Sequence, residues 1–254
     1  MLRKKIIPYT SLYAVLFVCV LSCSKNKMSD TVLVFSANGN INNTIEAFRA
    51  QVGTTLNTST GVVGGRREIN WDGVPAELLN KALPGDFFNP IASDAPVGRK
   101  RGLLYSAAGG EFIASNNGFA TANAVSASQF TSFSGLNSFA NISSSLWDAE
   151  FRVPGTSELA AIKGFGLVFT DIDRDNNAFI EFFSGEKSLG RYYAPAKDDQ
   201  TNFSFLGVYF KNEWVTRVRI GHEATIVGNV DISNGGTTDL VAFDDFIYSE
   251  PVRR

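Results

Sequence analysis

Beyond residue 23 the sequence contains no cysteine, and its 254 residues include one histidine and two methionines. The missing cysteines exclude a disulfide from the body of the chain, so an exported form must be held by its core alone. With a single histidine, a zinc site of cysteine and histidine ligands cannot be assembled either. A Ser-His-Asp triad would have to recruit His222, but no G-x-S-x-G elbow occurs and Gly221-His222-Glu223 closes an apparent strand. His222 therefore reads as a surface residue. No G-x-x-x-x-G-K-S/T loop is present, and Gly164-Phe165-Gly166 lies inside a strand pattern, which leaves phosphate cradling without support. Excess positive charge is absent too: the formal net charge is −2, so nothing draws nucleic acid electrostatically. Carboxylates for glycoside hydrolysis exist among the 25 Asp and Glu residues, but no spacing selects a pair.

What is present begins at the N-terminus. Arg3, Lys4 and Lys5 precede an apolar stretch at 12–21 that runs into Ser22-Cys23. This is the layout of a secretory signal, and the stretch is well short of the roughly 20 residues needed to span a bilayer. Val20-Leu21-Ser22-Cys23 resembles the bacterial lipobox. The resemblance implies cleavage before Cys23, acylation of its thiol, and, with Ser24 rather than Asp following, release to the outer membrane. Two or three acyl chains, each buried methylene contributing about 0.8 kcal/mol, would anchor the protein stably. The expected organisation is a signal peptide at 1–22, a polar tether at 23–30 and one β domain at 31–254.

The body of the chain is rich in phenylalanine (21) and glycine (23), with short apolar runs broken by turn residues. Strands are expected at 32–36, 67–71, 102–106, 111–115, 146–153, 164–170, 178–183, 188–193, 203–210, 215–221 and 239–248. One amphipathic helix is expected at 43–51, where Ile45, Phe48 and Val52 recur at helical spacing and Asn43 or Thr44 can cap the first turn. A second, shorter helix is expected at 76–81. Residues 53–65 and 115–145 read as loops rich in Ser, Thr, Asn and Gly. Arg217 and Arg219 alternate with Val218 and Ile220, so one face of that strand meets a core and the other meets water. Strands joined by short turns predict an all-β antiparallel sandwich, jelly-roll-like, with one or two short helices near the N-terminus.

The stretch FTDIDRDNNAFIEFF at 169–183 sets Asp171, Asp173 and Asp175 at alternate positions. An EF-hand loop needs glycine at its sixth position and glutamate at its twelfth, where counting from Asp171 gives Asn176 and Phe182. The full loop is absent. What remains is a group of oxygen ligands at a strand end, with Asp171 and Asp173 on one side by the two-residue period. Asp244 and Asp245 lie in an otherwise apolar strand, where a buried carboxylate needs a metal, a cationic partner or backbone N–H donors. Asp171, Asp173 and Asp245 are thus the candidate ligands for a calcium ion, with a simple acidic turn as the alternative. Trp71, Trp147, Trp214, Tyr192 and Tyr193 could stack on sugar rings, and core packing is the competing reading. Arg66-Arg67 and Arg99-Lys100-Arg101 read as solvated loop charge.

Several segments in order, Arg67 to Pro75 (REINWDGVP), Leu83 to Asn89 (LPGDFFN), Phe151 to Thr156 (FRVPGT), Gly164 to Asp173, Phe205 to Val208 (FLGV) and Asp244 to Tyr248 (DDFIY), resemble an uncharacterised family of secreted bacterial domains. Some members of that family carry a PEP-CTERM sorting tail. The resemblance spans roughly residues 43–251 and implies an exported, surface-associated β-sandwich, with Asp171, Asp173 and Asp245 at the family's acidic positions. It implies no activity. The combined expectation is an outer-membrane lipoprotein anchored through Cys23, carrying a non-catalytic module that binds a glycan or envelope polymer and is stabilised by calcium. A purely structural envelope protein and a two-carboxylate glycoside hydrolase are the alternatives.

Overall fold

A computed structural model describes residues 31–254. The expected signal peptide, Cys23 and the tether lie outside the described residues. The first strands are β1 (Val32–Asn38), β2 (Arg66–Ile69), β3 (Leu103–Ser106), β4 (Phe112–Ser115) and β5 (Ser138–Asn141). They are followed by β6 (Leu146–Phe151), β7 (Ala160–Ala161), β8 (Gly164–Thr170), β9 (Phe179–Ser184) and β10 (Lys187–Tyr193). β11 (Phe203–Phe210), β12 (Arg217–Gly221), β13 (Ala242–Ser249) and β14 (Val252–Arg253) complete the set, and helix α1 (Asn42–Val52) lies between β1 and β2.

The strands pair antiparallel in two main sheets, one ordered β1-β11-β8-β13-β5-β4 with β2 also on β13, the other β10-β9-β12-β6-β3. Within them, β5-β13-β8-β11 faces β6-β12-β9-β10, and the chain passes between sheets at nearly every connection. That is the double Greek key of a jelly roll, as the strand pattern predicts. A consequence for function is that the connections β5–β6, β8–β9, β10–β11 and β12–β13 all close the same end.

Between the sheets lies an aromatic core. β8 is buried along its whole length, so it reads as an unbroken apolar run. Its Phe165, Leu167 and Phe169 enter the inter-sheet core, while Val168 faces α1. Trp71 stacks on Phe139 with centroids 3.6 Å apart, and Trp147 lies edge-on to the same ring at 5.8 Å. Each buried phenylalanine contributes about 1.5 to 3 kcal/mol from area alone, and a good ring pair adds about 0.5 to 1.5 kcal/mol. These aromatics supply the cohesion that disulfides would otherwise give.

Helix α1 covers the outer face of the first sheet with Ile45, Phe48 and Val52. Its seat is a pair of facing glycines, Gly166 and Gly207, where any Cβ would come within 2.9 Å of the Phe48 ring. The second expected helix is only a single 3-10 turn, Ala76–Leu78. Pro75 before it and the extended Leu79 after it leave no length for an α-helix. β5 falls inside the segment read as loop. Its four residues are all buried, and Ser and Asn at its ends mask Phe139 and Ala140 in the sequence.

Two readings of charged residues are corrected. Arg67 is not solvated but fully buried in β2, where its guanidinium grips Glu250 at 2.7 and 2.8 Å. Tyr248 of β13 pairs opposite it in register, so a position opposite a core strand has taken a cation with its own counter-ion. His222 is buried rather than on the surface. It packs on Phe243 and its Nδ1 lies 2.9 Å from the Ala224 carbonyl, while burial pulls its pKa down to about 4. The imidazole is therefore neutral at ordinary pH.

Candidate metal centre

At the end closed by the four connections, two loops bring their acids together and a third adds a lysine. Asp171 and Asp173 come from the β8–β9 connection, Asp231 from the β12–β13 connection, and one carboxylate oxygen of each lies within 4.8 Å of the others. Lys197, from the β10–β11 connection, reaches both Asp171 and Asp173, the latter at 2.7 Å. Local geometry fixes each group. Asp171 follows the end of β8 in the left-handed region (φ 69°), which Asp tolerates better than most residues, and its N–H donates to Asn202. Ile172 turns into the core, so Asp171 and Asp173 do share a side as alternation predicts.

The surrounding donors order the carboxylates. Asp231 caps the short 3-10 turn Ile232–Asn234 by accepting from Ser233 N–H at 2.7 Å, and it also accepts from Leu240 N–H at 3.2 Å. Ser233 Oγ lies about 3 Å from both oxygens of Asp173. Behind them Asp239 accepts the N–H groups of Asp173 and Arg174 at 2.9 and 3.0 Å, holding the β8–β9 loop to the β12–β13 loop. Asp175, expected as part of the same row, instead accepts from Ala196 N–H at 3.0 Å.

Charge in this cluster is incompletely balanced, with three carboxylates against one ammonium. Asp171 is fully buried, and its Oδ2 has no hydrogen-bond partner. Burial pushes Asp171 up to about 7 despite its bond to Lys197, and burial also raises Asp231. Burial pulls the Lys197 ammonium down, but Asp171 and Asp173 outweigh it and hold the group above its ordinary value. The lysine occupies the position where a cation belongs. Carboxylate oxygens gathered from loops, with surplus negative charge, suit a hard divalent ion such as calcium.

Asp245 is not brought to this cluster. The register of β13 against β8 slips between Asp244 and Ile247, a bulge at which Asp245 takes φ 35°. Phe243 and Phe246 on either side both enter the core, so the extra residue turns Asp244 and Asp245 to the outer face together. There Asp244 accepts from the N–H groups of Phe133, Ser134 and Asp245, and Asp245 accepts from Ser134 Oγ at 2.5 Å. With Asp72, which accepts from Leu136 and Asn137 N–H, they pin the 131–137 loop. This is the turn-holding role that the sequence left open for them.

Asp231 and Lys197 were not singled out by sequence. Asp231 lies 60 positions from Asp171, and its one local signal is the Asx-type turn onto Ser233.

The aromatic candidates separate. Trp71 and Trp147 are core residues, Trp214 is half-buried beneath Lys163 and Arg254, and Tyr192 packs on Phe182. Tyr193 is exposed, edge-on to Phe179, whose ring Arg191 covers at 4.0 Å. Across the outer face of the second sheet, Arg191, Glu181, Arg219 and Asp148 stand opposite one another in register, a ladder of alternating charge that neutralises itself. A cleft of about 380 Å³ beside β2 contains one carboxylate, Glu68, already held by Arg49 and Arg66.

No protein-family model matches this chain, and no curated protein matches it. Among solved structures, the K2 cleaved adhesin domain of Lys-gingipain aligns over 72% of this chain and 97% of its own length, at 6% identity and a TM-score of 0.40. A likeness of that degree carries no argument about function.

Proposed function

We propose that the protein is a lipid-anchored envelope module without catalytic function, whose binding site is the loop end carrying Asp171, Asp173 and Asp231. A divalent cation, calcium by ligand chemistry, enters there and displaces the Lys197 ammonium toward solvent. Calcium takes six to eight oxygens, so three carboxylates leave coordination positions for ligand oxygens such as the hydroxyls of an envelope glycan. The observation that carries this reading is the buried, unpartnered Oδ2 of Asp171 within a three-carboxylate group served by one lysine.

Calorimetric melting with and without calcium tests it. A ligand at one hundred times its dissociation constant stabilises by about 2.7 kcal/mol, which for a domain of this size raises Tm by about 5 to 10 °C. Asp171→Asn should abolish that rise, and Lys197→Met, which removes the resident cation, should enlarge it. No rise at millimolar calcium in either the native protein or Lys197→Met would refute the site. Acylation is checked separately, by mass spectrometry of the membrane fraction for a chain beginning at a modified Cys23.

A further inference from the structure

The opposite end of the sandwich is where the described chain begins. Val32, first in β1, pairs with Phe210, last in β11, and Lys211 N–H donates to the Thr31 carbonyl at 2.8 Å. The β6–β8 and β11–β12 connections close this end and bring Lys163, Lys211 and Trp214 together with Arg254. Lys163 Nζ lies 4.2 Å and Arg254 Cζ 3.2 Å from the Trp214 ring centre. The Lys163 ammonium is further fixed by the carbonyls of Lys211 and Glu213, at 3.1 and 3.0 Å. Glu213, the acid in this connection, is taken up by Lys187 at 2.9 Å. Trp214 shares a groove with Gly64 and Gly65, and the preceding Val63 stands 94% exposed at its loop tip. An amphipathic indole, a bare valine and three cations thus share one end, and the acidic loops occupy the other.

We infer that this end docks on the anionic phosphate headgroups of the membrane, with Trp214 and Val63 at the interface and Lys163, Lys211 and Arg254 over the phosphates. The inference rests on the anchor proposed above. Residues 24–31 between Cys23 and β1 reach at most roughly 28 Å fully extended, so a chain fixed at Cys23 keeps this end at the surface. Tryptophan favours the headgroup level of a bilayer. The attraction of lysine and arginine to anionic lipid fades within about one Debye length, roughly 8 Å in physiological salt, so docking requires close approach and not tethering alone.

The full chain reconstituted in phosphatidylglycerol–phosphatidylcholine vesicles carrying headgroup spin-labelled lipid provides the test, with tryptophan emission as the readout. Trp71 and Trp147 are buried, so quenching reports Trp214 and should vanish in Trp214→Phe. Removing a charge with Lys211→Gln or Arg254→Gln should lower the ratio of docked to undocked protein about five-fold each, and pure phosphatidylcholine should leave it low. Unquenched emission from a chain that mass spectrometry shows to be acylated and vesicle-bound would overturn the docking while leaving the anchor intact. Quenching on anionic vesicles by a chain found unacylated would support the docking and remove the anchor.

Discussion

Asp171, just past the end of β8, and Asp244, within β13, are both buried aspartates, yet their surroundings assign them opposite tasks. Asp244 receives three backbone N–H groups and holds a loop. Asp171 has one lysine and an idle oxygen. Burial, then the neighbouring Asp245 carboxylate, pushes Asp244 up to about 8 against the pull of those donors. The unfolded chain releases that proton near the ordinary carboxylate value, so between about pH 4 and pH 8 the folded state binds more protons. Stability therefore falls as pH rises through this window. Urea midpoints measured from pH 5 to pH 8 should decline for the native protein, and Asp244→Asn should flatten the slope. An unchanged slope in that variant would assign the decline to other groups.

At the scale of the element, α1 and the β13 bulge show how little sequence is needed to specify a contact and how much to locate it. The helix was legible because Ile45, Phe48 and Val52 recur at three and four. Its landing place was not, since Gly166 and Gly207 read only as weak points in strands until pairing places them opposite one another. Phe48→Ala should cost about 3 to 5 kcal/mol by emptying that seat. Gly207→Val, which forces a branched Cβ toward the ring, should cost about 1 to 3 kcal/mol, read by chemical denaturation. Alternation along β8 likewise gave Asp171 and Asp173 their common side. No period in the sequence announces a bulge, so the turning of Asp245 away from them stayed hidden, as did the arrival of Asp231 and Lys197 from loops distant in sequence.

The whole molecule is closed by long-range polar ties as well as by grease. Arg67 and Glu250 are buried together. Asn57 donates to Glu250 at 2.8 Å, and Arg67 donates to the Ser59 and Lys100 carbonyls. Four separate segments meet at one ion pair. Glu250→Ala should therefore cost about 3 to 5 kcal/mol, because it strands a guanidinium without its partner, and thermal melting will show whether it does. The class of fold was readable from the strand pattern, since apolar runs and short turns leave few alternatives to a sandwich. The jelly-roll order gathers four connections at one end, but which loop residues meet there is not written in the runs.

β1 enters the domain from the preceding chain and lies antiparallel to β11 over seven paired residues, from Val32 with Phe210 to Asn38 with Ser204. A pull arriving through that chain and resisted at the acidic end runs along the strand axis. The seven rungs then carry the force side by side in shear instead of opening one after another like a zip. Tension applied to the start of β1 would therefore have to break the seven rungs together.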